Sequence, residues 1–289
     1  MFRWVLLLCL AAICAADDLF IHSPFILAHD SASGYLQRDN IVTKYTITQT
    51  GSITEQLNCG TRAFDLRPYL DDGALITHHG PVKIKVSLQD ILQEVVTWKE
   101  TIDNQDELIV LYISHCEGDD SCVPQTKTLF NRMKISYIDD CQRFASLTYK
   151  EASDMKIMGI FDCVEEQYDE SVNCYGFQDH KKFTCYGENA QIPFEHLSNY
   201  WNTSLSISNN AVSPYMSQLH WQSTAESIAM GELHLSSVLK DESKAGVNRW
   251  ILQQLQEKND LLDKMNFIEL DNVCDYGNKL HEFIIQHRH

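Results

Sequence analysis

The chain has 289 residues, a formal net charge of −17 and 44% apolar residues. So acidic a surface repels nucleic acid and is not drawn to an anionic bilayer by long-range electrostatics, which argues against nucleic-acid partners and leaves membrane contact either transient or carried by apolar loops. The apolar share supports a substantial core, and no linker, repeat or low-complexity tract divides residues 17–289, which read as a single domain and a monomer.

At the start, Arg3 precedes an apolar run over residues 4–16 that ends in Cys14, Ala15 and Ala16. The run is shorter than the roughly 20 residues that span a bilayer, and it ends in small residues. Residues 1–16 therefore read as a signal peptide and residues 17–289 as a secreted, extracellular protein. Of 10 cysteines, Cys9 and Cys14 leave with that segment. The even set that remains argues for disulfides, with Cys116–Cys122 and Cys174–Cys185 as local candidates. No pair has the CxxC spacing of a zinc site. Asn202-Thr203-Ser204 is the one glycosylation sequon and marks Asn202 as an acceptor.

Residues 24–28 form a short apolar run that predicts a strand, with His29 and Asp30 at its end. Residues 63–70 read as a second strand and residues 73–77 as a third, entered through the Asp72-Gly73 turn signal. Ser87 and Asp90 flank a helix start like a capping box, with Asp in the usual Glu place. Leu88, Ile91, Leu92, Val95 and Val96 then give that helix one apolar stripe. Residues 108–113, 156–161 and 267–270 predict buried strands, and residues 250–265 and 279–286 predict helices. The stretch from 165 to 237 is the least regular. Strands alternating with helices over this length predict an α/β fold, a distorted (β/α) barrel.

Polar groups gather at the ends of the predicted strands: His29 and Asp30, Asp65 and Arg67, His78 and His79, His115, Asp162 and Asp271. In a parallel barrel those ends converge on one face. Two histidines can divide acid and base roles near neutral pH. Arginine presents a charged planar fork to phosphate oxygens, and carboxylates orient imidazoles. The set fits phosphoryl transfer, where positioning and charge stabilisation dominate. There is no GxSxG elbow, HExxH helix or P-loop to support other chemistry.

Ala28-His29-Asp30-Ser31, Thr61-Arg62-Ala63-Phe64-Asp65-Leu66-Arg67 and His78-His79-Gly80-Pro81 resemble the phosphatidylinositol-specific phospholipase C X-domain family. Their spacing is similar to that of its metal-independent secreted bacterial type, and similarity returns at residues 87–96 and 267–271. The resemblance implies that His29 is a general base oriented by Asp271. It implies that His79 is a general acid partnered by Asp30, that Arg67 stabilises the phosphoryl group, and that Asp65 supports it. It implies no cofactor and no metal, because Arg67 stands where the calcium-dependent branch has an acidic ligand. The partner would be a phospholipid, phosphatidylinositol or its glycosylated form. The headgroup pocket departs from the pattern. His115 stands where a lysine is expected, Asp162 and Cys163 where an arginine is, and Asp179 matches an aspartate but Lys181 replaces a tyrosine. A related phosphodiesterase with another headgroup and a non-catalytic binding protein on the same barrel therefore stay open. Trp201 and Trp221 are candidates for membrane docking or for core aromatics.

Overall fold

The computed structural model describes residues 19–166, 176–178, 181–185, 190–208 and 214–287. In chain order these residues form β1 (Phe25–Ala28), α1 (Ile41–Thr46), α2 (Ile53–Asn58), β2 (Ala63–Leu66), β3 (Pro68–Asp71), β4 (Ala74–His79), β5 (Val82–Ser87) and α3 (Leu88–Lys99). There follow β6 (Ile109–Ile113), α4 (Cys122–Met133), β7 (Ser136–Ile138), α5 (Cys141–Ala145), α6 (Tyr149–Met155), β8 (Ile157–Phe161), β9 (Glu165–Glu166), β10 (Gly176–Gln178), β11 (Lys181–Phe183) and α7 (Gln191–Ser208). The last are β12 (Tyr215–Gln218), α8 (Ala225–Leu233), α9 (Val238–Ala245), α10 (Val247–Glu257), β13 (Phe267–Leu270) and α11 (Gly277–His287).

Eight strands form one parallel sheet in the order β7-β8-β6-β2-β1-β13-β12-β9. Among the described residues its edge strands β7 and β9 do not pair, so the sheet curls as an open, distorted barrel. Strand side chains alternate between faces, and the core divides accordingly. Phe25, Leu27, Ala63, Val110, Tyr112, Met158, Ile160, Met216 and Phe267 pack with one another as the barrel interior. Their alternates Ile26, Phe64, Leu66, Ile109, Leu111 and Ile268 pack outward with helical residues such as Ile91, Leu92, Ile251 and Leu255. His29, Asp65, Glu269 and Asp271 are in phase with the interior set, so the alternation that builds the core also aims them over its C-terminal end.

Two expectations need correction. Residues 63–70 are not one strand. Pro68 has no amide to give a continuing ladder and restricts the residue before it, so the chain breaks at Arg67. β3 then pairs antiparallel with β4, and β4 with β5. His78 and His79 thus lie on a separate three-stranded sheet and not at a barrel-strand end. The helix expected over 250–265 begins earlier, after Gly246 at φ 71°, and stops at Glu257; a 3-10 segment, Asn259–Lys264, follows. Of the capping box, only the Ser87 half forms, its hydroxyl accepting from the Asp90 amide at 3.0 Å. Asp is a methylene shorter than the usual Glu.

Disulfides join Cys59–Cys274, Cys116–Cys122 and Cys141–Cys163. Cys185 is also disulfide-bonded, while Cys174 lies outside the described residues, as do residues 1–16 and Asp179. Asn202 is exposed on α7. Trp201 and Trp221 are buried, with Trp201 packed on Trp250 and Trp221 on Phe194, so they are core aromatics and not docking residues.

Candidate active site

The parallel strands end in tight turns that re-aim the chain. Asp30 (φ 42°), His115 (φ 46°), Asp162 (φ 49°) and Asn272 (φ 47°) take the left-handed conformation just past β1, β6, β8 and β13. Asp, Asn and His tolerate this backbone better than other side-chain-bearing residues, which accounts for their presence at these corners. Thr48 and Gln49 staple two of the corners together. The Thr48 hydroxyl donates to the His29 carbonyl, and the Gln49 amide donates to the carbonyls of His29 and Leu270.

Asp30 is the centre of the site. Its Oδ2 lies 3.1 Å from His29 Nε2 and 3.1 Å from His79 Nε2, and its Oδ1 lies 3.0 Å from Arg67 Nε. His29 is held from behind by Asp271, whose Oδ1 is 2.8 Å from Nδ1. His79 is held by the Thr46 carbonyl, 2.8 Å from its Nδ1; that nitrogen donates, and Nε2 faces Asp30. Asp65 supports the assembly by accepting from the Asp30 amide at 3.1 Å, the Ser114 hydroxyl at 2.7 Å and Arg67 Nε at 2.9 Å. The His29 and His79 ring centroids are 6.0 Å apart.

A cavity of about 480 Å³ opens over this group. His29, Arg67, His79, His115 and Asp271 line it, with Tyr45, Trp221 and Val238 as its apolar side. His115 is exposed and its carbonyl accepts from His78 Nε2 at 2.7 Å, which ties the β6 turn to the His79 hairpin. Asp162 is exposed beyond the cavity lining. The structure therefore brings together His29, Asp30, Asp65, Arg67, His79, His115 and Asp271, and leaves Asp162 apart.

The charges are strongly coupled. Burial disfavours a charged His29, but Asp30, Glu269 and Asp271 outweigh it and hold its pKa well above the usual histidine range. For His79, burial wins over the attraction of Asp30, aided by His29 and Arg67, and its pKa falls. Burial would raise Asp30, yet His79, Arg67 and His29 hold it far below the usual carboxylate range. Arg67 is kept charged against burial by Asp65 and Asp30. The surroundings thus favour a charged His29 and disfavour a charged His79.

Three further buried residues stand behind His29, and the strand patterns do not single them out. His220 stacks on it, with Nε2 3.2 Å from Glu269. Glu242 accepts from the Trp221 amide at 2.7 Å. Burial and the nearby Asp271 push the Glu242 carboxyl well above its ordinary range. Glu269 had a legible signal: it is a charge inside an apolar strand, two residues before Asp271 and so on the same side. His220 and Glu242 come from the irregular stretch and the segment after it, where no period identifies them.

Donor atoms of His29, His220 and Asp271 lie within 4.8 Å of one another, as do those of His29, Asp30 and Asp65. The first set has the His29–Asp271 hydrogen bond within it, and the Arg67 guanidinium already occupies the second.

The sequence matches no protein-family model. The fold is similar to that of solved bacterial proteins. Against the phosphatidylinositol-specific phospholipase C from Listeria monocytogenes the TM-score is 0.65 at 15% identity, covering 96% of this chain and 97% of that one. Against a structure of the Staphylococcus aureus phosphatidylinositol-specific phospholipase C, concerned with modulation of its membrane binding, the TM-score is 0.60 at 16% identity, covering 90% and 89%. The F249X mutant of the S. aureus enzyme gives 0.61 at 15% identity, with the same coverage. At these identities the likeness establishes the barrel.

Proposed function

We propose that this protein is a secreted phosphodiester lyase acting on phosphatidylinositol or a glycosylated form of it. One observation carries the reading: two histidines and an arginine that line a cavity meet on the single buried carboxylate of Asp30. Neutral His29 takes the proton of the inositol 2-hydroxyl through Nε2, while Asp271 holds the ring through Nδ1. The freed oxygen attacks phosphorus, and the bond to the diacylglycerol oxygen breaks. His79, protonated, gives its Nε2 proton to that oxygen, with Asp30 beside it. Arg67 holds charge on the phosphoryl oxygens. The products are a cyclic inositol phosphate and diacylglycerol.

The directions in which the site's own groups push the two histidines oppose this division, and the substrate offsets them. A phosphodiester anion beside His79 favours its imidazolium, and a proton added there makes His29 easier to neutralise. The reactive form is then one microstate of a coupled pair.

Apolar side chains flank the cavity. Tyr45 of α1 and Val238 of α9 line it, and Lys44 ties α1 to Glu232 of α8 at 3.1 Å. On or just beyond α1 and α8, Ile41, Val42, Leu233 and Leu235 are exposed, the two leucines by 77% and 76%. They supply an apolar rim for a lipid surface. None of the described helices is long and apolar enough to cross a membrane. Secretion is supported by the apolar start at residues 1–16, the disulfides and the exposed Asn202, which we assign as a glycan site.

A second reading, cleavage of another headgroup, is favoured by His115 at the cavity and Asp162 outside it. The test is a headgroup panel: phosphatidylinositol, its glycosylated form, phosphatidylcholine and phosphatidylglycerol in mixed micelles, with released water-soluble phosphate esters measured. Release from the inositol lipids alone supports the first reading. Release from a headgroup with no hydroxyl beside the phosphate assigns a different phosphodiesterase.

A further inference from the structure

His220 is buried under the His29 ring, with centroids 4.2 Å apart and planes within 14° of parallel. Both of its nitrogens meet acceptors. Nε2 is 3.2 Å from Glu269 Oε2, and Nδ1 is 3.3 Å from the Trp221 carbonyl oxygen. A neutral imidazole donates from one nitrogen only, so this arrangement is satisfied by the imidazolium. We propose that His220 is a positioning residue, held as an imidazolium by Glu269 and the Trp221 carbonyl, whose charge keeps His29 able to release its proton.

The need for such a residue follows from the groups around the pair. Glu269 faces it from β13, Asp271 from just past that strand, Asp30 from the turn after β1, and Glu242 from α9. Asp65, Arg67 and His79 complete the front. The carboxylates of Asp30, Glu269 and Asp271 all favour charged His29, and a base that keeps its proton does not turn over. A positive ring stacked beneath opposes them. Like charges about 4 Å apart in a buried site shift proton affinity by on the order of one pH unit or more, even after their counter-ions are allowed for. Glu269 is itself kept ionised: burial would raise its pKa, but His29 and His220 lower it. The stack also fixes the plane of His29, so that Nε2 faces Asp30 while Nδ1 keeps Asp271.

The inference rests on His29 as the base, but its test does not need turnover. Nitrogen NMR of the full chain with labelled histidines, without substrate, reads each ring directly. At pH 7 both His220 nitrogens should carry protons. In His220→Phe, which keeps a ring under His29 and removes the charge, the His29 titration midpoint should rise by about one unit or more. A neutral His220 across the range in which His29 titrates overturns the proposal; so does an unmoved or lowered midpoint in His220→Phe. The first measurement uses the unaltered protein and stands even if the variant does not fold. Because no lipid is present, a negative result here is distinct from a failure of the lyase reading.

Discussion

Asp30 shows how backbone and chemistry converge on one residue. It combines a left-handed backbone, an amide bond to Asp65 and a carboxylate shared between two histidines. Asn tolerates the same backbone, so Asp30→Asn removes the charge and leaves the turn. Both His29 and His79 then lose a negative neighbour, and their pKa values fall. The expected result is a kcat/KM profile whose two limbs both move to lower pH, with a rate about 10²–10⁴-fold lower. A profile that stays in place would remove Asp30 from the coupled pair. Arg67→Ala should cost about 10²–10³-fold in kcat with the thermal midpoint nearly unchanged, because Asp65 keeps the Asp30 amide and Ser114 as partners. A near-normal rate would remove the guanidinium from the mechanism. His29, Asp30, Asp65, Arg67, His79 and Asp271 were legible in the sequence because each lies in a short pattern beside an apolar run. His220 was not, since it follows a strand of four residues and owes its place to a ring stack that no spacing encodes.

Among elements, β13 and its exit carry the most consequence. The strand delivers Glu269 and Asp271, and the Cys59–Cys274 bond ties its exit to the end of α2 across 215 residues of sequence. A link of that span is worth roughly 5 kcal/mol in chain entropy, and its removal from a secreted domain costs about 2–5 kcal/mol. The same corner is tightly packed: a Cβ on Gly277 would stand 2.5 Å from the Cys59 carbonyl oxygen. The double substitution of Cys59 and Cys274 by Ser should therefore lower the unfolding free energy by about 2–5 kcal/mol in denaturant titration. Loss of activity should track unfolding rather than precede it; a fully stable double variant would contradict this weight on the β13 corner. Strands β1, β6, β8 and β13 were legible as apolar runs. The β3-β4-β5 sheet was not, because its membership turns on Pro68 breaking a run that otherwise reads as one strand. The disulfide across the fold was equally hidden, since pairing between distant cysteines is set by the folded barrel and not by spacing.

For the molecule as a whole, an acidic chain that is proposed to work on a lipid surface must do so without charge attraction. The apolar rim is the device that fits. Leu233→Ser with Leu235→Ser should weaken sedimentation with phosphatidylcholine vesicles several-fold, leave hydrolysis of a short-chain monomeric substrate within about twofold, and show little dependence on salt. Equal losses on vesicles and monomers would place these leucines in folding and not at a surface. The central claim is that a histidine pair and an arginine make a cyclic phosphate without a metal. Phosphorus NMR of the protein with phosphatidylinositol micelles and a chelator, beside His29→Ala, tests it most directly. A cyclic inositol phosphate signal from the intact protein and none from the variant is the predicted result; no cyclic product from the folded protein, or product that requires added calcium, contradicts it.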